Sequence, residues 1–205
     1  MGLRHQRTPY PGMVFQEGTS VTTDATVVPV EELRDPVASG GEASGGSAPG
    51  DVALRAVDAG DERARWAMRQ YFAELAERFP GGFDAAGALD DAAAAFRPPD
   101  GVFLLATDVA GVIGCGGMHR LDATTAEARR MWVHPRARGA GLGRRMLAAL
   151  EEQARGMGCR DVVLDTNGVL TEAITLYRGQ GYRDIPRYND NPYAQHWFRK
   201  RLPDL

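Results

Sequence analysis

The chain has 205 residues, 43% of them hydrophobic and 25% charged, which is the make-up of a soluble globular domain. A net charge of −3 and a pI near 5.8 leave no broad basic footprint for nucleic acid. No apolar run reaches the roughly 18 residues of a membrane span, so neither nucleic acid nor a membrane is an expected partner.

The opening "MGLRHQRTPYPGMVF" lacks the apolar centre of a secretory signal. Gln6 stands where a myristoylation signal needs Ser or Thr. The expectation is a soluble, cytoplasmic protein. Residues 38–50, "ASGGEASGGSAPG", cannot bury enough apolar surface to offset the entropy of ordering them. The whole of 1–50 reads as a flexible tail and linker with one weak β-like patch, "ATVVPV". A single folded domain is expected over 51–205.

From Asp51 onward strands and helices alternate. "DVALRAV" (51–57) is a short alternating strand. Residues 61–79 form a helix capped by Asp61, with Trp66, Tyr71 or Phe72, Leu75 and Phe79 at helical spacing, and Pro80-Gly81-Gly82 end it. "LDDAAAAF" (89–96) is a second, short helix closed by Pro98-Pro99. Three β-like runs, "GVFLLATD", "GVIGCGGMHRL" and "EARRMWVH", make an antiparallel meander. A helix over about 141–157 buries Leu142, Met146, Leu147, Leu150 and Ala154 on one face. The strand "RDVVLDT", the helix "LTEAITLYRGQG", and the strands "YRDIP" and "AQHWFRKRL" complete the chain. The order β-α-α-β-β-β-α-β-α-β-β predicts an α/β domain with a mixed, mostly antiparallel central sheet flanked by helices.

Between the third strand of the meander and the long helix lies "RARGAGLGRRM" (136–146). It is not a phosphate-binding P-loop, because no Lys-Ser/Thr pair follows Gly143. It is a poor dinucleotide fingerprint, since His134 to Ala137 separate it from the strand and too little chain follows Asp165 for a doubly wound sheet. Two readings remain open. One is a simple glycine turn before a helix. The other is a pyrophosphate resting on the helix N-terminus, whose free N–H groups and partial positive charge favour anions. In that reading the glycines clear the approach and Arg138 and Arg144 add charge-assisted donors.

The stretch "RRMWVHPRARGAGLGRRMLAALEEQA" resembles the acetyl-CoA-binding segment of the GNAT superfamily of N-acetyltransferases. Arg138, Gly141 and Gly143 match its Gln/Arg-x-x-Gly-x-Gly/Ala hallmark, and Val133 and Pro135 match the lead-in. "EAITLYRGQGY" is similar to the second signature of that family, and the resemblance covers about 51–202. It implies that acetyl-CoA is the co-substrate, with no metal. The pantetheine would pair with Met131, Trp132 and Val133, and the pyrophosphate would meet Arg138, Gly139, Ala140, Gly141, Leu142, Gly143 and Arg144. Ala173 matches the helix alanine of the second signature. Many members carry a coenzyme-contacting Asn three residues earlier. That position is Leu170 here, and Asn167, in the turn before it, is the remaining candidate.

The implied reaction is direct attack of an amine on the thioester in a ternary complex. Glu127 matches the acidic position that serves as base, and Tyr177 the tyrosine that protonates the leaving thiolate. The residues alone also allow Glu127 to offset Arg129 and Arg130 on a solvated strand, and Tyr177 to be core. The acceptor would be a small-molecule or peptide amine, and a homodimer is an allowed assembly. A catalytically silent acyl-CoA-binding module of the same fold is the alternative, and a dinucleotide-dependent oxidoreductase a third. His119 and His134 lack partners at ligand spacing and read as sheet-rim histidines. Cys115, in "GCGG", reads as a strand in close backbone contact rather than a nucleophile, and Tyr188 and His196 are candidates to line the acceptor cleft.

Overall fold

The computed structural model describes residues 52–85 and 88–203, so the tail and linker expected over 1–50 lie outside the described residues. Within it are β1 (Ala53–Val57), α1 (Glu62–Arg78), α2 (Ala88–Ala95), β2 (Gly101–Asp108), β3 (Gly111–Arg120) and β4 (Thr125–Val133). A 3-10 turn at Pro135–Ala137 leads to α3 (Leu142–Gly156), β5 (Asp161–Thr166), α4 (Thr171–Gly179), β6 (Arg183–Asp184) and β7 (His196–Arg201). The sheet runs β1-β2-β3-β4-β5-β7-β6. The β4–β5 pair is parallel and the others are antiparallel. This is the mixed sheet expected, and it excludes the all-parallel, doubly wound architecture.

Side-chain alternation along β2 separates two cores. Val102, Leu104 and Ala106 face one cluster with Met146, Leu147 and Leu150 of α3. Phe103 and Leu105 face the other with Met68 and Phe72 of α1 and Ala92 of α2. Both faces are therefore covered, which is why "GVFLLA" reads as a continuous apolar run. The glycines of β3 let these layers close. A Cβ at Gly117 would meet the Phe96 ring at 2.5 Å, and one at Gly116 would meet Leu150 Cδ1 at 2.9 Å.

Asp61 caps α1 as expected, accepting from the Arg63 N–H at 2.8 Å. The buried stripe differs from the predicted one. It runs through Ala64, Ala67, Met68, Phe72 and Leu75, while Trp66 is left 37% exposed. Small alanines bring the helix close to the sheet, and the bulkier Trp66 lies edge-on to Trp132 at the rim.

Two irregularities interrupt β4. Its register against β3 shifts between Cys115↔Trp132 and Gly117↔Arg129, leaving one extra residue on β4. Arg130 absorbs that bulge with a φ of 57°. Ala126 and Ala128 precede the bulge on the α3 side. After it, Met131 and Val133 pack on that side and Trp132 on the α1 side. The second irregularity is that β4 and β5 pair only from Thr125↔Asp161 to Glu127↔Val163, after which the strands part.

Candidate active site

Where β4 and β5 part, a cavity of about 460 Å³ opens between α1, α3 and α4. Met131, Trp132 and Val133 from β4, Arg138 to Arg144 except Ala140, Ala173 and Tyr177 from α4, and Tyr71 from α1 all line it. Of the residues expected to hold a coenzyme, only Ala140 and Asn167 fall outside its wall. Ala140 is exposed on the loop. Asn167 braces instead: its amide donates to the Tyr193 carbonyl at 2.7 Å and its Oδ1 accepts from the Val169 N–H at 3.1 Å. Leu170, at the position where the resemblance leads one to look for Asn, does line the cavity.

The three alternating glycines have two distinct causes. Gly139 and Gly141 have φ of 79° and 80°, the left-handed region that side chains rarely adopt, and Gly141 is the N-cap of α3. Gly143 lies inside the helix, where a Cβ would press Leu176 Cδ2 at 3.3 Å. Two of them thus serve the turn and the third serves helix packing. All three border the cavity at a helix N-terminus whose N-cap, Gly141, has no side chain to accept from the first N–H groups.

The charged groups around the mouth form a chain that sequence spacing does not reveal. Arg138 donates to Glu74 Oε2 at 2.5 Å and to the Val133 carbonyl at 2.9 Å. Glu74 also accepts from the Trp132 indole at 3.0 Å and from Arg78 at 3.3 Å. Arg78 reaches across to Glu172 Oε2 at 3.0 Å and to the Val169 carbonyl at 2.9 Å, tying α1 to the start of α4. Behind the loop, Arg136 grips Asp108 with bonds of 2.5 and 2.9 Å and fixes the turn to the β2–β3 hairpin.

Glu127 is not on a solvated strand. It is 4% exposed, with His119 Nε2 at 2.8 Å, the Tyr188 hydroxyl at 2.7 Å, the Asn189 amide at 3.3 Å and Arg129 at 3.6 Å. Burial pushes its pKa up, but the His119 bond, the Arg129 charge and the Tyr188 bond together hold it below the usual carboxylate range. Asp165 stands on β5 nearby. It accepts from Asn189 at 2.5 Å and Asn191 at 2.9 Å, and burial together with the Glu127 charge pushes its pKa up.

Tyr177 is 7% exposed and packs on Tyr182 and Phe198, each with ring centroids 6.0 Å away, while bordering the cavity. Burial, with the Tyr71 and Asp165 charges, raises its pKa above the ordinary phenol value, so it stays protonated. Cys115 is fully buried, its thiol donates to the Arg130 carbonyl at 3.5 Å, and burial pushes its pKa to about 12. That is an inert thiol. His134 accepts from the Arg136 N–H at 3.2 Å as the cap of the 3-10 turn, and His196 stacks on Phe198. Among the described residues no three metal-ligating side chains cluster, and no helix is long and apolar enough to cross a membrane.

Comparison with known proteins identifies the family and the fold. The model of the acetyltransferase (GNAT) family matches residues 65–182, more than half of the chain. The chain belongs to the GNAT acetyltransferase family. An "IAA acetyltransferase" of Azospirillum brasilense is 39% identical over 87 residues, covering 42% of this chain and 57% of that protein. The chain thus matches less than two thirds of that relative's length. A GNAT acetyltransferase of Staphylococcus aureus shares the fold with a TM-score of 0.65 at 15% identity, over 75% of this chain and 100% of that one. A GNAT acetyltransferase of Elizabethkingia anophelis, solved with acetyl-CoA bound, has a TM-score of 0.54 at 17% identity, over 75% and 99%. Family membership sets aside the dinucleotide-dependent oxidoreductase.

Proposed function

We propose that this GNAT domain transfers acetyl from acetyl-CoA to an amine by direct attack in a ternary complex. The observation that carries the reading is the convergence on one cavity of the uncapped α3 N-terminus, the β4 edge past its last pair with β5, and Tyr177. The pyrophosphate suits the first, where free N–H groups and Arg144 meet it. The pantetheine suits the β4 edge from Met131 to Val133, where extended backbone can add hydrogen bonds. A backbone N–H of that edge would polarise the thioester carbonyl as it becomes an oxyanion.

Proton balance then assigns the side chains. An alkyl amine of pKa about 10.4 is almost wholly ammonium at neutral pH and must lose a proton before it attacks. Glu127 is the carboxylate expected in that role, yet its donors make it a weak proton acceptor and an anchor for the loop carrying Tyr188 and Asn189. Tyr177, kept protonated by burial, donates to the leaving thiolate. The test is turnover of acetyl-CoA against a panel of amines, with coenzyme binding measured separately. Binding with turnover supports the reading. Binding without turnover on any amine would favour the silent acyl-CoA module instead.

A further inference from the structure

We propose that Asp165, rather than Glu127, takes the proton from the attacking amine, with Asn189 and Asn191 fixing its carboxylate. This assignment rests on the acetyl-transfer reading above. Pairing between β4 and β5 ends at Val163, and Asp165 is the next residue on the same side of β5, at the opening of the strands. Val162 and Leu164 fill the core beneath α3, so Val163 and Asp165 belong to the opposite side, which Glu127 and its partner His119 share. Tyr71 of α1 and Tyr177 of α4, both in the cavity wall, lie near enough to feel the Asp165 charge. Asp165 therefore lies on the α1 side of the sheet where β4 and β5 part, outside the cavity wall itself and close to the two tyrosines that border it.

The two carboxylates are surrounded differently. Glu127 is buried under His119, Tyr188 and Asn189, with Arg129 beside it, and a carboxylate so well satisfied binds a proton weakly. Asp165 is half-buried and its hydrogen bonds come from two neutral amides. The groups facing it are Glu127 and Arg129 from β4, Tyr71 from α1, Tyr177 from α4 and Tyr188 from the loop after β6. Of these Arg129 alone is cationic, so burial and the Glu127 charge prevail and its proton affinity rises. A base works better as its pKa approaches the working pH, which favours Asp165.

In the step itself the ammonium gives one proton to Asp165, and the freed lone pair forms the C–N bond to the thioester carbonyl. Collapse breaks the C–S bond as Tyr177 protonates the thiolate. The second nitrogen proton restores the phenol, and the proton on Asp165 leaves to solvent.

The test is the pH profile of kcat at saturating substrates, using an amine that the unmodified chain turns over. Asp165→Asn should lower kcat by about 10²–10⁴, abolish the acid limb and leave acetyl-CoA affinity unchanged. Glu127→Gln should keep an acid limb displaced to lower pH, because the like charge that raises Asp165 is gone. Asn191→Ala removes a donor to Asp165 and should move the limb to higher pH. It keeps the question answerable if Asp165→Asn fails to fold. An acid limb lost in Glu127→Gln and kept in Asp165→Asn would make Glu127 the base. A limb unmoved by Glu127→Gln and Asn191→Ala would assign deprotonation to solvent. Either result overturns the proposal, whereas turnover by the unmodified chain keeps the acetyl-transfer reading standing.

Discussion

At Tyr177 the two roles weighed from sequence prove compatible, since the ring packs in the core between Tyr182 and Phe198 while the residue borders the cavity. Phe in its place keeps the packing and removes only the hydroxyl. Tyr177→Phe should therefore melt close to the parent and bind acetyl-CoA normally, with kcat down by about 10²–10⁴ if the phenol protonates the thiolate. Full activity, with chemistry shown to be rate-limiting, would leave Tyr177 a core residue. The glycines call for equal care. Valine at Gly141 would meet backbone strain at φ 80° before it met any phosphate, so lost binding there would have two causes. Gly143, helical and pressed by Leu176, is where bulk can be added without that strain.

At the scale of elements, the mouth of the cavity is held by the chain Arg138–Glu74–Arg78–Glu172, which joins the glycine loop to α1 and α1 to α4. If acetyl-CoA binds as proposed, its pyrophosphate must compete with Glu74 for Arg138. Glu74→Gln keeps an acceptor for the Trp132 indole and removes the charge, so coenzyme should bind more tightly. For a partly solvated pair the gain is about 0.5–1 kcal/mol, or about two- to five-fold in Kd by calorimetry. Weaker binding would mean that Glu74 positions Arg138 rather than competing for it. The pair Asp108–Arg136 predicts a pH effect. Arg136 holds Asp108 at about 2 against an ordinary 3.8, so the pair stabilises the fold above pH 3.8 and that contribution fades as pH falls toward 2. The difference in Tm between the parent and Arg136→Gln should be full at pH 6 and vanish near pH 2. A difference constant over that range would mean that the guanidinium acts through packing.

Element order was legible because each segment carries a period, a cap or a breaker within its own few residues, as Asp61 and Pro80 do for α1. The glycine loop ahead of α3 was legible for the same reason. The ionic chain was not, because Arg78 and Glu172 stand 94 residues apart and nothing local pairs them. Asp165 drew notice only as an ill-fitting dinucleotide residue, since its partners Asn189 and Asn191 arrive from a loop whose path depends on the whole sheet. Trp66 misled for a related reason: helical spacing shows which residues share a face, not how closely that face approaches the sheet.

Taken whole, the domain opens its cavity along the end of β4, between α1, α3 and α4. Among the described residues, everything that lines it falls between Tyr71 and Gln180. A chain beginning at Asp51 should accordingly keep its turnover number within about two-fold of the full-length chain (well under the 1.4 kcal/mol that a tenfold change represents). A folded truncate without activity would show that the preceding fifty residues contribute to the acceptor site or to assembly.

The bulge at Arg130 sets a limit on how this chain can change length. Flattening it at constant length would restore an unbroken alternation along β4 and exchange the sides of everything between the bulge and the glycine loop, whereas losing one residue there would leave those sides as they are. In the flattened strand Trp132 would leave Glu74, and Met131 and Val133 would leave the α3 side. Substitutions in β4 alter one contact at a time. A one-codon deletion at the bulge would keep that whole wall of the cavity in place, so the strand that looks least regular is the one with a single residue to spare.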